Sequence, residues 1–446
     1  MLCQILFGFF LNTAYALKYY FYLRFYKNIQ RSQIMGIEKN AMIEADERGW
    51  TEPEGYVCSD CVKDEYLKAV IRESACCCQC DYCGRRTRKY SAAPVLELME
   101  TISSAVFMWF NNPEDAGDSW DNEEDCYFSG ESIDTRNMLK SFPLECHEQL
   151  FEDIAGSFIN EQWIETANGH WLGSHPHEVM TYAWERFSNI VKHESRYFFQ
   201  QTPSNFANQE DEFSQQEDDN PASFLPILGE LLKKLGLIGT LSAGEILFRA
   251  RPKEEGKTFS LNAKELGAPP SEIAKTGRMN PAGISYFYLA FEQKTALAEV
   301  CQSNLSPQVA IGQFETQREL QILDLTNLPQ KSSIFDVQHY EELTGLFFID
   351  NFVKDISKPV TKNGGEHLEY VPSQVVSEYF ALVFQLEDGK LLDGIKYPSV
   401  ACPNTHNLVL FPTERDFERK FDQVEFQNAE WQTLQVKKLH LAYLPD

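Results

Sequence analysis

The stretch Gly277–Val300 reads GRMNPAGISYFYLAFEQKTALAEV, and its reading decides the fold class of the C-terminal half. A Gly-Arg pair leads into Asn280-Pro281, and Gly283 follows as a permissive residue, so the spacing predicts a stiff turn. ISYFYLA then reads as a short strand, and QKTALAEV carries helical spacing. Turn, strand and helix in so short a space bring Arg278, Tyr288 and Glu299 into one neighbourhood. Each charge alone is ordinarily a solvated surface group. Their order and spacing are what ask for an explanation.

Working outward, ILFRAR (246–251), QVAIGQFE (308–315), LQILDLT (320–326) and NLVLF (407–411) are further short strands. They are separated by a helical SQVVSEYFALVF (373–384) and preceded by a helical FLPILGELLKKLGL (224–237). There is no regular βαβ alternation, so the expected class is α+β, with one mixed sheet in a C-terminal domain at 223–446. Ahead of it, residues 201–222 are polar, acidic and bounded by prolines, which reads as a linker. Residues 93–200 return repeatedly to helical periodicity and are expected to form a helical bundle.

The cysteines define a further module at 35–92. Most of the 12 lie between Cys58 and Cys83, which is not the distribution of a secreted disulfide framework. CSDC (Cys58, Cys61) and CDYC (Cys80, Cys83) form two tight turns, each able to aim two thiolates at one metal. Four thiolates complete a tetrahedral shell that suits structural Zn2+ and leaves no open position for catalysis. Cys76, Cys77 and Cys78 blur the choice of ligands, and one of them could replace Cys80.

The first 34 residues are apolar and aromatic and admit three readings: a signal with AYA at 14–16, a membrane anchor through residues 1–25, or upstream translation from a misassigned start. The third is preferred, because Met35 opens an ordinary polar N-terminus. A formal charge of −26 argues against non-specific binding to nucleic acid or anionic membranes. Cysteine usage and this reading of the start point to the cytoplasm.

The C-terminal pieces stand in a recognisable order: Arg249 in an aromatic-Arg start, the GRMNPAG turn, Tyr288, the TALAE helix, Ser373 in PSQ, then Tyr397 and Ser399 in GIKYPS. In this order the chain resembles the RES domain over about 247–410. The resemblance implies an ADP-ribosyltransferase-like fold and an NAD+-consuming toxin with a neutralising antitoxin. It also implies that the helical extension is HEPN-like, a region through which the chain could form a homodimer. NAD+ cleavage passes through an oxocarbenium-like state, so a carboxylate is needed beside the ribose, and Glu299 is the candidate. Arg249 and Arg278 would clamp the pyrophosphate with forked hydrogen bonds, and Tyr288 would stack on nicotinamide. Ser373, Tyr397 and Ser399 would bond substrate oxygens or only shape the site. Two readings compete with this one: a HEPN-type ribonuclease using Arg186 and His193, seven positions apart and so on one helix face, and a non-enzymatic protein whose zinc and helical parts bind a partner. His170, His175 and His177 read as a surface loop.

Overall fold

The computed structural model describes residues 42–121, 126–127, 132–198, 221–252, 266–301, 308–358, 366–411 and 434–443. The apolar leader and residues 201–220 of the expected linker lie outside them. Contacts divide the chain into two compact units: Met1–Ser174 with Ser333–Gln338, and His175–Ser332 with His339–Asp446.

The first unit begins with β1 (Tyr56–Cys58) and α1 (Glu65–Glu73). The Asp64 side chain caps α1 by accepting from the Leu67 amide at 3.0 Å. β2 (Ala92–Pro94) pairs antiparallel with β1 and feeds directly into α2 (Val95–Trp109). Leu98, Met99, Ile102, Ala105 and Val106 recur at three- and four-residue spacing along α2 and are fully buried. β3 (Phe110–Asn111), β4 (Trp120–Asp121), β5 (Cys126–Tyr127) and β6 (Ile133–Asp134) are very short, and α3 (Thr135–Ser141), α4 (Glu148–Ser157) and β7 (Gln162–Glu165) complete the unit. Helices predominate, as the periodicity predicts, but a three-stranded sheet of order β3-β7-β6 is woven among them. Phe335, from the Ser333–Gln338 segment, is buried in the same core and stacks on Phe142 at 6.0 Å. Ser333 Oγ donates to Asp64 Oδ2 at 2.9 Å.

The second unit contains α5 (Pro176–Asn189), α6 (Pro221–Lys234), β8 (Ile238–Leu241), β9 (Ile246–Pro252) and β10 (Phe287–Ala290). There follow α7 (Gln293–Cys301), β11 (Gln308–Thr316), β12 (Leu320–Asp324), α8 (Tyr340–Ser357), α9 (Glu366–Glu369) and α10 (Val371–Leu382). β13 (Gly394–Pro398), β14 (His406–Leu410) and β15 (Leu434–Tyr443) close the unit. One eight-stranded sheet runs β15-β11-β9-β10-β14-β13-β12-β8. Only β12 and β13 pair in parallel, so the sheet is mixed and the α+β expectation holds.

Helices α5, α6, α8 and α10 bury one sheet face, with Trp184, Phe187, Phe224, Phe348, Phe352 and Phe380 packed over Leu323, Ile395 and Val409. Leu247, Phe287, Leu289, Phe314, Ile322, Leu408 and Leu410 form a second core on the other face. α5 falls within the stretch read as the helical bundle, yet its apolar face packs in this unit, and Trp184 Nε1 donates to Asp355 of α8 at 2.8 Å. α8 is buried on nearly every side, and α6 approaches it so closely that a Cβ on Gly345 would meet Leu231 Cδ1 at 2.7 Å. None of the described helices is long and apolar enough to cross a membrane.

Candidate functional site

The site is built from the turn preceding β10. Asn280, almost wholly buried, spends its side-chain amide on the carbonyls of Lys275, Pro281 and Ile284, at 2.8 to 3.0 Å. Its Oδ1 accepts from the Tyr288 hydroxyl at 2.7 Å, and that hydroxyl accepts from the Met279 amide at 3.0 Å. The buried Gln374 side chain on α10 donates to the Gly277 carbonyl at 2.7 Å and the Asn280 carbonyl at 3.0 Å. Ser373 Oγ donates to the Arg278 carbonyl at 2.6 Å. In this small lattice the backbones of Gly277, Arg278, Met279 and Asn280 are thus each held by a side chain.

The Arg278 guanidinium donates to the Ile356 carbonyl, in the last turn of α8, at 2.6 Å and lies 5.4 Å from the centre of the Tyr370 ring. Arginine carries five donor hydrogens, so this contact fixes the group without consuming it. Glu299, in the last turn of α7, is exposed, and both its hydrogen bonds land on one oxygen: Oε1 accepts from Ser399 Oγ at 2.7 Å and from Asn407 Nδ2 at 2.6 Å. The β13–β14 hairpin delivers both donors. Tyr397 stands opposite Asn407 in the register, and Ser399 begins the connecting loop.

These side chains share a cleft of about 310 Å³ lined by Gly277, Arg278, Tyr288, Glu299, Tyr370, Tyr397 and Asn407, with Pro398 and Val400. Burial holds the Tyr288 phenol well above its ordinary value, and burial with Tyr288 and Glu299 nearby does the same for Tyr397. Both rings are therefore neutral at physiological pH. The lining offers one carboxylate, one guanidinium and three tyrosines, a set suited to a ligand that is anionic at one place and aromatic at another.

Of the residues singled out in the sequence, Arg278, Tyr288, Glu299 and Tyr397 thus meet in one cleft. Ser399 joins them through Glu299. Ser373 does not line the cleft; it is buried, and its hydroxyl braces the turn. Arg249 does not line it either. Its Nη1 donates to the Gly267 carbonyl at 2.9 Å, its guanidinium lies 5.0 Å from the Phe287 ring centre, and burial beside Arg251 pushes it down to about 10. Asn407 and Tyr370 were missed. The NLVLF strand signal contained Asn407, but only strand pairing reveals which side chain faces Glu299.

The segment on which the ribonuclease reading rests departs from regular α-helix. Residues Ile190–Glu194 form a π turn, with the Ser195 amide bonding to the Ile190 carbonyl at 2.8 Å. The seven positions from Arg186 to His193 therefore cross from α-helix into this turn. His175 is a buried residue at the start of α5 rather than part of a surface loop: its amide donates to Glu178 at 2.7 Å and its ring bonds the Tyr340 hydroxyl.

In the first unit, Cys58, Cys61, Cys80 and Cys83 bring their sulfurs within 4.8 Å of one another, as the spacing predicts. The closest pairs are 3.6 to 3.8 Å apart. A tetrahedron with metal–sulfur bonds of about 2.3 Å has edges of roughly 3.8 Å, so the four thiols fit a metal without rearrangement. Burial and the neighbouring sulfurs push Cys58 up to about 11 and Cys61 higher, a cost that a cation among them would remove.

No curated protein matches this chain. Family models match at two places: HEPN/RES N-terminal domain 1 over residues 73–205, and the RES domain over residues 246–432. The second match contains Arg278, Tyr288, Glu299, Ser399 and Asn407. The chain therefore carries a RES domain that contains the cleft, preceded by a HEPN/RES N-terminal domain 1.

Proposed function

We propose that the cleft binds NAD+ and breaks its nicotinamide–ribose bond, and that the protein acts as a toxin-like effector held in check by an antitoxin. RES domains are associated with NAD-related enzymatic toxins. The observation that carries the reading is Glu299, fixed by two donors on one oxygen in the same cleft as Arg278 and Tyr288. When the glycosidic bond breaks, its electron pair goes to the pyridinium nitrogen and nicotinamide leaves neutral. Positive charge develops on the ribose, where an oriented carboxylate stabilises it. The remaining donors of Arg278 would hold the pyrophosphate, and the Tyr288 ring would keep nicotinamide oriented. Water, phosphate or an acceptor group then captures the ribosyl cation.

Nicotinamide release is common to all three outcomes and is the measurement to make. Purified protein should release nicotinamide from NAD+, and Glu299→Gln should lower the rate on the order of 100-fold or more. Equal release by wild type and variant would overturn the assignment.

We infer also that the four cysteines hold a structural zinc ion, supported by the fit of their sulfur spacing. Elemental analysis should find one zinc per chain. Stripping it with a strong chelator should unfold the first unit, since metal-binding energy is folding energy in such sites.

A further inference from the structure

Glu299 stands near the end of a helix, exposed, on an element that does little to fix its side chain. What fixes it comes from a different part of the chain. Asn407 on β14 reaches Oε1 at 2.6 Å through its amide nitrogen, and Ser399 reaches the same oxygen at 2.7 Å. We propose that Asn407 is a positioning residue for the carboxylate of Glu299: it selects one orientation of that carboxylate and commits Oε1 to the protein, leaving Oε2 to face the substrate's developing charge. The inference rests on the NAD+ reading for its kinetic consequence but not for its geometric one.

Three observations support it. Asn407 is buried, at 6% exposure, while the carboxylate it holds is exposed, so the donor is the fixed partner and the acceptor the one being placed. Its backbone is locked on both sides, pairing with Ala290 of β10 and with Tyr397 of β13. The loop carrying Ser399 is closed on itself: the Ser399 amide bonds the Thr405 carbonyl at 2.9 Å, the Cys402 amide bonds Ser399 Oγ at 3.2 Å, and Thr405 Oγ1 bonds the Cys402 carbonyl at 2.6 Å. Ser399 Oγ is thus an acceptor from Cys402 and a donor to Glu299, which fixes its direction. Two donors converging on one oxygen leave that oxygen no place for a proton. Oε2 takes no hydrogen bond among the described residues. The arrangement makes the two oxygens of one carboxylate unequal, which a symmetric, solvated glutamate would not be.

The test uses the full-length protein, NAD+ as substrate, and separate determination of kcat and KM for nicotinamide release. Asn407→Ala should lower kcat on the order of 10- to 100-fold, the range expected when an orienting partner of a site residue is removed. KM should stay within about threefold, since the residue acts on the transition state rather than on ground-state binding. Asn407→Asp keeps the shape but replaces the donor with a like charge, and should lose at least as much as the alanine variant. A purely packing role would leave the isosteric aspartate near wild type, and that result would overturn the proposal. So would an alanine variant with unchanged kcat, or a loss carried wholly by KM. Crystal structures of wild type and Asn407→Ala supply a readout independent of activity: Glu299 should hold one orientation in the first and move or split in the second. An unmoved Glu299 overturns positioning. A wild type that releases no nicotinamide overturns the NAD+ reading instead, and the two crystal structures still decide the role of Asn407.

Discussion

At the scale of single residues, the cleft depends on Gly277 as much as on the charged groups beside it. A Cβ at Gly277 would lie 2.6 Å from Asn280 Oδ1 and 2.7 Å from the Tyr288 hydroxyl. Those two atoms bond each other and brace the turn, so neither can yield without breaking the lattice. Gly277→Ala should therefore destabilise the protein by about 1–3 kcal/mol, the cost of overpacking a filled site. Urea unfolding would measure it, and an unchanged midpoint would show that the turn is looser than described. The run from Gly277 to Glu299 was legible in the sequence because turn, strand and helix are local structures. Arg278, Tyr288 and Glu299 came together for that reason. What could not be read was the division of labour within one side chain: the Tyr288 hydroxyl is bound to Asn280 and Met279, and only its ring is offered to the cleft.

At the scale of elements, the β13–β14 hairpin and α10 each contribute a serine, with different consequences. Ser399 touches the carboxylate; Ser373 touches the backbone of Arg278. Ser373→Ala should cost about 1 kcal/mol of stability by removing a buried hydrogen bond. Ser399→Ala should cost a comparable amount of stability, because its buried hydroxyl also accepts from the Cys402 amide, and should in addition reduce nicotinamide release more than Ser373→Ala does. Measuring both properties for both variants separates the roles, and a reversal of the pattern would overturn them. From sequence, the two serines looked alike, because helical spacing alone does not say which side of α10 meets the turn. Asn407 and Tyr370 were illegible for a related reason: strand register and the junction before α10 place them, and both are non-local. α8 shows little period because its polar residues, from Glu341 to Ser357, are spread around the helix rather than gathered on one face.

At the scale of the whole molecule, acid should weaken the fold. Burial holds His177 below its ordinary value, and burial with Lys396 nearby does the same for His406. For a base held down in the folded state, the unfolded chain binds more protons as pH falls. The stability these groups contribute is present above the unfolded value near 6.5 and is lost as pH falls from there toward their folded values. The carboxylates held low, such as Asp324, Asp350 and Asp355, add losses only at much lower pH. The melting temperature should therefore drop between pH 7.5 and 5.5, and less steeply in a His177→Leu variant. A flat profile across that range would count against this account. The acidic segment read as a boundary is less informative at this scale than the contacts themselves, which assign α5 to the unit holding the cleft.

The segment Ser333–Gln338 places Phe335 in the core of the first unit, although some 160 residues separate it from that unit's last contiguous residue, Ser174. Protein synthesis is directional, so a nascent chain that has just completed Ser174 lacks the aromatic ring that stacks on Phe142. By the time the ribosome supplies it, Arg278, Tyr288 and Glu299 have already been made, while Ser399 and Asn407 have not. The order of translation thus lets the first unit close its core before the carboxylate clamp can exist, and a truncated product would carry Glu299 without the groups that aim it.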